Sequence, residues 1–313
     1  MRIIGKEIVG AAALVLLAGC AVVPNGAEAA APAGTQAQVP GDRVASPPVA
    51  PATPVQAPVS ETFTLNGHFE QGGAVLGTVP TGTTTLTFDG KTIPVASDGE
   101  FLIAFDRNAG PQATLVATLA NGAQLTRDIS VAPRAWKISR LNRLPKYPVP
   151  SAEFKRLRPP ELAQIHAARA MTTDAHGWRQ KFIWPTTGRI STLFGAQRIY
   201  KGGQKGSYHS GIDIAVPVGT PVRAPADGVV ILATAKPFTL EGNLLMVDHG
   251  MGLNSAFLHL SKILVHVGDH VKQGQVIAYS GDTGRATGPH LHWGLKWDAA
   301  RIDPLLLAGP MPQ

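Results

Sequence analysis

The chain has 313 residues, 44% of them hydrophobic and only 16% charged, with 34 glycines, 26 prolines and one cysteine. Most of it is therefore globular; the glycine and proline favour short strands joined by turns over a helical bundle, and the lone cysteine excludes an intrachain disulfide. The net charge of +7 is concentrated between Arg134 and Lys205, where fifteen Lys and Arg face only Glu153, Glu161 and Asp174, a pattern that is either a solvated basic face or one suited to nucleic acid, phospholipid headgroups or an acidic polymer.

At the N-terminus, Arg2 and Lys6 flank the start of an apolar run from Ile8 to Leu17. The run is shorter than the ~20 apolar residues of a membrane span and fits the core of a secretory signal. It ends in Leu17-Ala18-Gly19-Cys20, which resembles the lipobox of bacterial lipoproteins. The resemblance implies removal of residues 1–19 and a lipid anchor on Cys20. With Ala21 next, it implies the periplasmic side of the outer membrane of a Gram-negative-type envelope. Residues 20–60 carry eight prolines and no aromatic residue after the cysteine, so they bury no core and read as a disordered tether. Fully extended at ~3.1 Å per residue, the tether reaches roughly 120 Å.

Residues 61–133 alternate apolar and polar positions in "TFTLNGHF", "TTTLTFDGKTIPVA", "GEFLIAFD" and "ATLVATLANGAQLTRDISV". Asp89-Gly90, Asp98-Gly99 and Asn121-Gly122 punctuate them, which predicts a small β-sandwich-like domain without a catalytic constellation. Residues 134–181 read as a basic connector of mixed character, with helical stretches interrupted at Pro159-Pro160. From residue 182 to 308, short apolar segments between Gly and Pro predict a compact, mostly antiparallel β domain, so the fold class is mainly β.

Seven of the ten histidines lie between His209 and His292. In "GIDIA", Asp213 alternates with Ile212 and Ile214; in "FLHL", His259 stands between Leu258 and Leu260; in "PHLHWG", His290 and His292 alternate with Leu291 and Trp293. On strands, each metal-capable side chain then points away from buried apolar neighbours, and together they suggest one polar face of one sheet. A catalytic zinc takes three protein ligands and leaves a position for water, with a proton-transfer group nearby. His209, Asp213, His259, His290 and His292 supply three ligands and two further groups, and spacing alone does not divide them.

The segments "HSGIDIAVPVGTPVRAPADGVV", "GNLLMVDHG", "NSAFLHL" and "VGDHVKQGQVIAYSGDTGRATGPHLHWGL" resemble the M23 (LytM-type, lysostaphin-like) zinc endopeptidases over residues 183–305. The resemblance implies a β-groove domain, a Zn2+ ion held by His209, Asp213 and His292, and His259 and His290 acting on the water and the tetrahedral intermediate. It also implies peptidoglycan as the partner and hydrolysis of its peptide cross-links, of the D,D type, with no nucleic acid involved. The competing reading is a non-catalytic relative that binds peptidoglycan and activates an amidase; the five unaltered positions speak against it. "VGDHVKQGQVIAYSG" also resembles a biotinyl or lipoyl carrier hairpin, but the domain offers no Met-Lys or Asp-Lys tip for attachment. Of the other candidates, His249 reads as structural and His266 and His270 as solvated. Tyr200 and Tyr208 are possible oxyanion donors, and Asn243 a support for the groove backbone.

Overall fold

A computed structural model describes residues 61–141 and 151–312. The signal, Cys20, the tether and residues 142–150 of the connector lie outside the described residues.

In the first part, β1 (Thr64–Gly67), β2 (Ala74–Thr78), β3 (Thr83–Phe88), β4 (Lys91–Ile93), β5 (Glu100–Ala104), β6 (Gln112–Leu119) and β7 (Gln124–Ser130) form two antiparallel sheets, ordered β1-β2-β5 and β4-β3-β6-β7. Val75, Phe101 and Ile103 of one sheet and Leu86, Leu115 and Ala117 of the other are completely buried, as alternation requires for two sheets sharing one core. Asp89 and Gly90 both take positive φ (48° and 78°), the paired left-handed turn that closes the tight β3–β4 hairpin.

The chain continues through β8 (Ile138–Leu141) and α1 (Ala152–Arg169), then β9 (Arg189–Thr192), β10 (Gln197–Tyr200), β11 (Lys205–Tyr208), β12 (Ile212–Ala215) and β13 (Pro221–Arg223). After these come β14 (Gly228–Ala233), β15 (Asn243–Asp248), β16 (Leu253–Leu260), β17 (Lys262–Ile263), β18 (His270–Val271), β19 (Val276–Tyr279), β20 (Leu291–Trp297), β21 (Ala300–Ile302) and α2 (Pro304–Ala308). The main sheet runs β18-β14-β15-β16-β20-β12-β9, with β21 on β20. Its back face buries Ile212, Ile214, Leu245, Val247, Phe257, Leu291 and Trp293. Its front face is apolar at Leu244, Met246, Ala256 and Leu258, where α1 covers it with Ile165 and Ala168. Strands covered on both faces lose strict alternation, which explains runs such as "LLMV".

The expectation that prolines interrupt the helical segment is overturned: α1 runs unbroken through Pro159 and Pro160. Two i→i−4 hydrogen bonds are lost, but tertiary contacts hold the helix from outside. Ser151 Oγ caps it by accepting from Phe154 N–H (3.0 Å). Arg158 clasps Glu241 (2.5 and 2.7 Å), and Glu161 accepts from the backbone and hydroxyl of Thr239 (2.7 Å each).

The β-sandwich is docked on the second part through polar and aromatic contacts. Phe88 meets Trp297 edge-on at 5.9 Å, buried Arg107 donates to the Gly195 carbonyl (2.9 Å), and Arg134 pairs with Asp303 (2.8 Å) and Glu70 (3.4 Å). Gly195 has φ 76°, and a Cβ there would stand 2.1 Å from the Trp136 ring, so only glycine lets that indole seat. Arg179 binds Asp98 and Glu100. Arg134, Arg158 and Arg179, three members of the basic stretch, are thus neutralised internally rather than offered to a partner.

His249 lies fully buried behind the main sheet. Its Nδ1–H donates to the Asp227 carbonyl (2.8 Å), and its Nε2 accepts from the Ser255 hydroxyl (2.8 Å), whose oxygen accepts from the Trp293 indole (3.3 Å). The relay closes with a neutral ring, and burial pushes its pKa down to about 4, against the pull of Asp227. The unfolded chain takes up this proton near pH 6.5 and the native state only near 4. Stability is therefore full above pH 6.5, declines on acidification, and has lost about 3 kcal/mol from this group by pH 4. Urea midpoints measured across that range are expected to fall less steeply in His249→Asn; parallel slopes would refute the assignment.

Candidate metal centre

β12 and β20 pair antiparallel with Asp213 opposite His292, Ile212 opposite Trp293 and Ile214 opposite Leu291. The apolar pairs are buried behind the sheet, which sends Asp213 and His292 together to the front. His209 arrives from the turn between β11 and β12, its backbone fixed by bonds to Ala196 (2.7 Å) and Gly195 (2.8 Å). Gly211 follows because a Cβ there would stand 2.4 Å from the Trp293 carbonyl and 2.7 Å from His292 Nε2.

Three donor atoms converge. His209 Nε2 lies 3.0 Å from Asp213 Oδ1 and 3.0 Å from His292 Nδ1, and the last two are 2.8 Å apart. His209 Nδ1–H donates to the Leu193 carbonyl (3.1 Å), which turns Nε2 toward the cluster. Burial alone would raise the Asp213 pKa, but hydrogen bonds and charge from His209 and His292 outweigh it and hold the carboxyl well below its usual range. Burial pushes His292 down against its bond to Asp213, so its ring is neutral near pH 7.

A carboxylate oxygen and two ring nitrogens gathered this closely need either protons or a cation between them. This is the donor set of a catalytic zinc site with an open position, whose ligands stand about 3.3 Å apart around an ion at ~2.0–2.1 Å. A small outward movement of each side chain brings the cluster to that size. The residues present therefore fit a zinc ion.

His259 reaches the front by a route that alternation does not provide. Leu258 pairs with His292 and itself lies on the front face, so a regular strand would direct His259 backward. β16 instead carries one extra residue against β15 between Asn243 and Leu245, and His259 takes φ 62°. This bulge re-aims the imidazole, whose ring centre lies 4.7 Å from that of His290 and 6.3 Å from that of His292. The expectation that buried leucines on both sides orient His259 is thus corrected: the residue reaches the expected face for a different reason. Its Nδ1–H donates to the Thr283 carbonyl (2.8 Å), leaving Nε2 for the groove, and burial lowers its pKa against that bond. His290 is oriented in the same way, with Nδ1–H to the Gly288 carbonyl (2.8 Å) and Nε2 3.8 Å from Asp213 Oδ1.

The five predicted side chains are therefore brought together. The groups that orient them were not read from the sequence, because three are main-chain carbonyls of Leu193, Thr283 and Gly288 and carry no side-chain signal. Asn243 Nδ2–H donates to the Leu260 carbonyl (2.9 Å), beside the bulge, as a groove support would. Tyr208 turns elsewhere: its hydroxyl donates to Asp106 (3.1 Å) and accepts from Arg301 (3.1 Å) at the junction with the β-sandwich.

Residues 207–304 match the model of peptidase family M23. Over 116 residues the chain is 42% identical to the peptidoglycan DD-endopeptidase ShyA of Vibrio cholerae serotype O1, a match spanning 37% of this chain and 26% of that protein. Over 125 residues it is 40% identical to the DD-carboxypeptidase/endopeptidase Mpg of Neisseria meningitidis serogroup B, covering 40% and 28% respectively. The chain thus spans between a quarter and a third of the length of these curated relatives. A solved structure of an M23 peptidase from Pseudomonas aeruginosa superposes with a TM-score of 0.60 at 29% identity, over 77% of this chain and 95% of that one. That likeness takes in much more of the chain than the family match alone.

Proposed function

From a C-terminal domain that belongs to peptidase family M23, we propose that the protein is a zinc-dependent endopeptidase that hydrolyses peptide cross-links of peptidoglycan, with D,D specificity. The observation that carries the reading is the convergence of His209, Asp213 and His292 beside two oriented imidazoles. The activities of the Vibrio and Neisseria relatives support the substrate.

His209 Nε2, Asp213 Oδ1 and His292 Nδ1 would hold the zinc, which when bound supplies an acidified water and polarises the scissile carbonyl. His259, neutral and presenting Nε2, is suited to take a proton from the attacking water. His290 Nε2 faces the same space and, when it carries a proton, is suited to hydrogen-bond the developing oxyanion or to protonate the leaving amine. Bonds from Nδ1–H to the carbonyls of Thr283 and Gly288 turn Nε2 of both rings toward the groove.

The proposed location rests on the N-terminal sequence. The lipobox-like Leu17-Ala18-Gly19-Cys20 and the proline-rich sequence of residues 21–60 support a periplasmic enzyme anchored to the outer membrane through Cys20, with the exposed basic residues of the connector facing anionic wall or headgroups.

Purified protein incubated with peptidoglycan is expected to release un-crosslinked stem peptides identifiable by mass. Chelation is expected to abolish release and Zn2+ to restore it. Metal-loaded protein that cuts no cross-link but stimulates an amidase would replace this reading with the non-catalytic one.

A further inference from the structure

The groove continues beyond the histidines. On the front of β20, Gly294 and Lys296 follow His292 in two-residue steps, and Leu258, Ala256 and Asn254 of β16 pair with these three. With α1 as the other wall, they enclose a cavity of about 260 Å3 that runs from His292 to Arg169, Lys296 and Arg301. Four residues of strand place Lys296 about 13 Å from His292.

The far end is strongly cationic. Among the described residues no carboxylate forms an ion pair with Arg169, Lys296 or Arg301. The acids around them are engaged elsewhere: Glu241 with Arg158, Asp298 with Lys91, and Asp106 with the Tyr208 hydroxyl and the Arg301 backbone N–H. The Arg301 guanidinium donates to Tyr208. Burial first, and the neighbouring cations next, lower the pKa values of both Arg169 and Lys296. Like charges gathered in a half-buried pocket disfavour one another until an anion enters.

Two buried polar atoms in this wall lack a partner: Arg169 Nε, a donor, and Asn254 Oδ1, an acceptor on a side chain whose residue is only 6% exposed. Buried polar groups are nearly always satisfied, so such a pair marks a place where a ligand completes the bonding. A carboxylate beside a peptide N–H offers both the missing acceptor and the missing donor.

We propose that Arg169, Lys296, Arg301 and Asn254 form a subsite for a carboxylate-bearing segment of the peptide held across the metal centre; its assignment to substrate rests on the endopeptidase reading. The subsite selects acidic peptides by charge and fixes their register at a distance from the scissile bond, so α1 is a specificity wall of the groove as well as a brace.

The test uses the purified full chain loaded with zinc. An uncross-linked stem tetrapeptide with free carboxylates and its carboxamide counterpart are titrated calorimetrically, and hydrolysis of a cross-linked dimer is followed separately. The free acid is expected to bind about tenfold more tightly than the amide. Lys296→Gln and Arg169→Gln are expected to shrink that ratio below about threefold, while Lys181→Gln, an exposed lysine outside the pocket, leaves it unchanged. Lys296 is half-exposed, so its variant carries the test alone if Arg169→Gln folds poorly. Equal binding of acid and amide, no binding of either, or a ratio untouched by Lys296→Gln overturns the subsite. Carboxylate preference without dimer cleavage would retain the subsite and refute the endopeptidase; cleavage without preference would do the reverse.

Discussion

Replacing His292 with alanine is expected to remove bound metal and hydrolysis together, with kcat/KM falling by about 10³-fold or more, because the metal supplies several kcal/mol of transition-state stabilisation. His290→Ala is expected to behave differently. Its Nε2 stands 3.8 Å from Asp213 Oδ1, whereas His209 Nε2 and His292 Nδ1 are 3.0 Å or less from the same oxygen. Losing a proton-handling group costs about 10²–10⁴-fold in kcat and leaves the ligand set intact. Metal content measured on both variants alongside their kinetics separates the two roles. Equal loss of metal in both would show that the neighbouring imidazoles share the ligand role.

His259→Gly is expected to lower kcat by about 10²–10⁴-fold with little change in stability. Two effects oppose each other at this position. A residue with φ 62° carries roughly 1 kcal/mol of backbone strain that glycine relieves, while the lost bond to the Thr283 carbonyl removes a similar amount. Denaturant midpoints within about 1 kcal/mol of the parent, with zinc retained and turnover lost, are the expected result. A strongly destabilised variant would mean that His259 serves the fold, and undiminished turnover would remove it from the chemistry. A depressed pKa keeps this imidazole neutral near pH 7, the form in which it accepts a proton.

How far the sequence alone reaches differs between these residues. Asp213 and His292 were legible because β12 and β20 are regular strands with isoleucine, leucine and tryptophan on the other side, so two-residue periodicity fixes their face. The mainly β character was legible for the same reason, from short alternating segments and Gly-marked turns. His209 was visible only as a member of a motif, since it stands in a turn. The pairing of β10 with β8 was not legible: the two strands are distant in sequence and run in parallel, and such long-range pairing leaves no local pattern.

The sequence by itself determined the chemistry available: which metal-capable side chains the domain carries, which family its motifs resemble, and which face the regular strands give them. Only the tertiary structure decided how His259 reaches the groove, because a bulge depends on the count of residues in the neighbouring strand. It also decided that α1 survives two prolines, because Arg158 and Glu161 find partners in the loop between β14 and β15, and Ile165 packs on the main sheet, which together outweigh the lost helix bonds. The gathering of Arg169, Lys296 and Arg301 is of the same kind. Their charges are scattered over more than a hundred positions of sequence, and only the packing of α1 over the front of the main sheet brings them to one pocket.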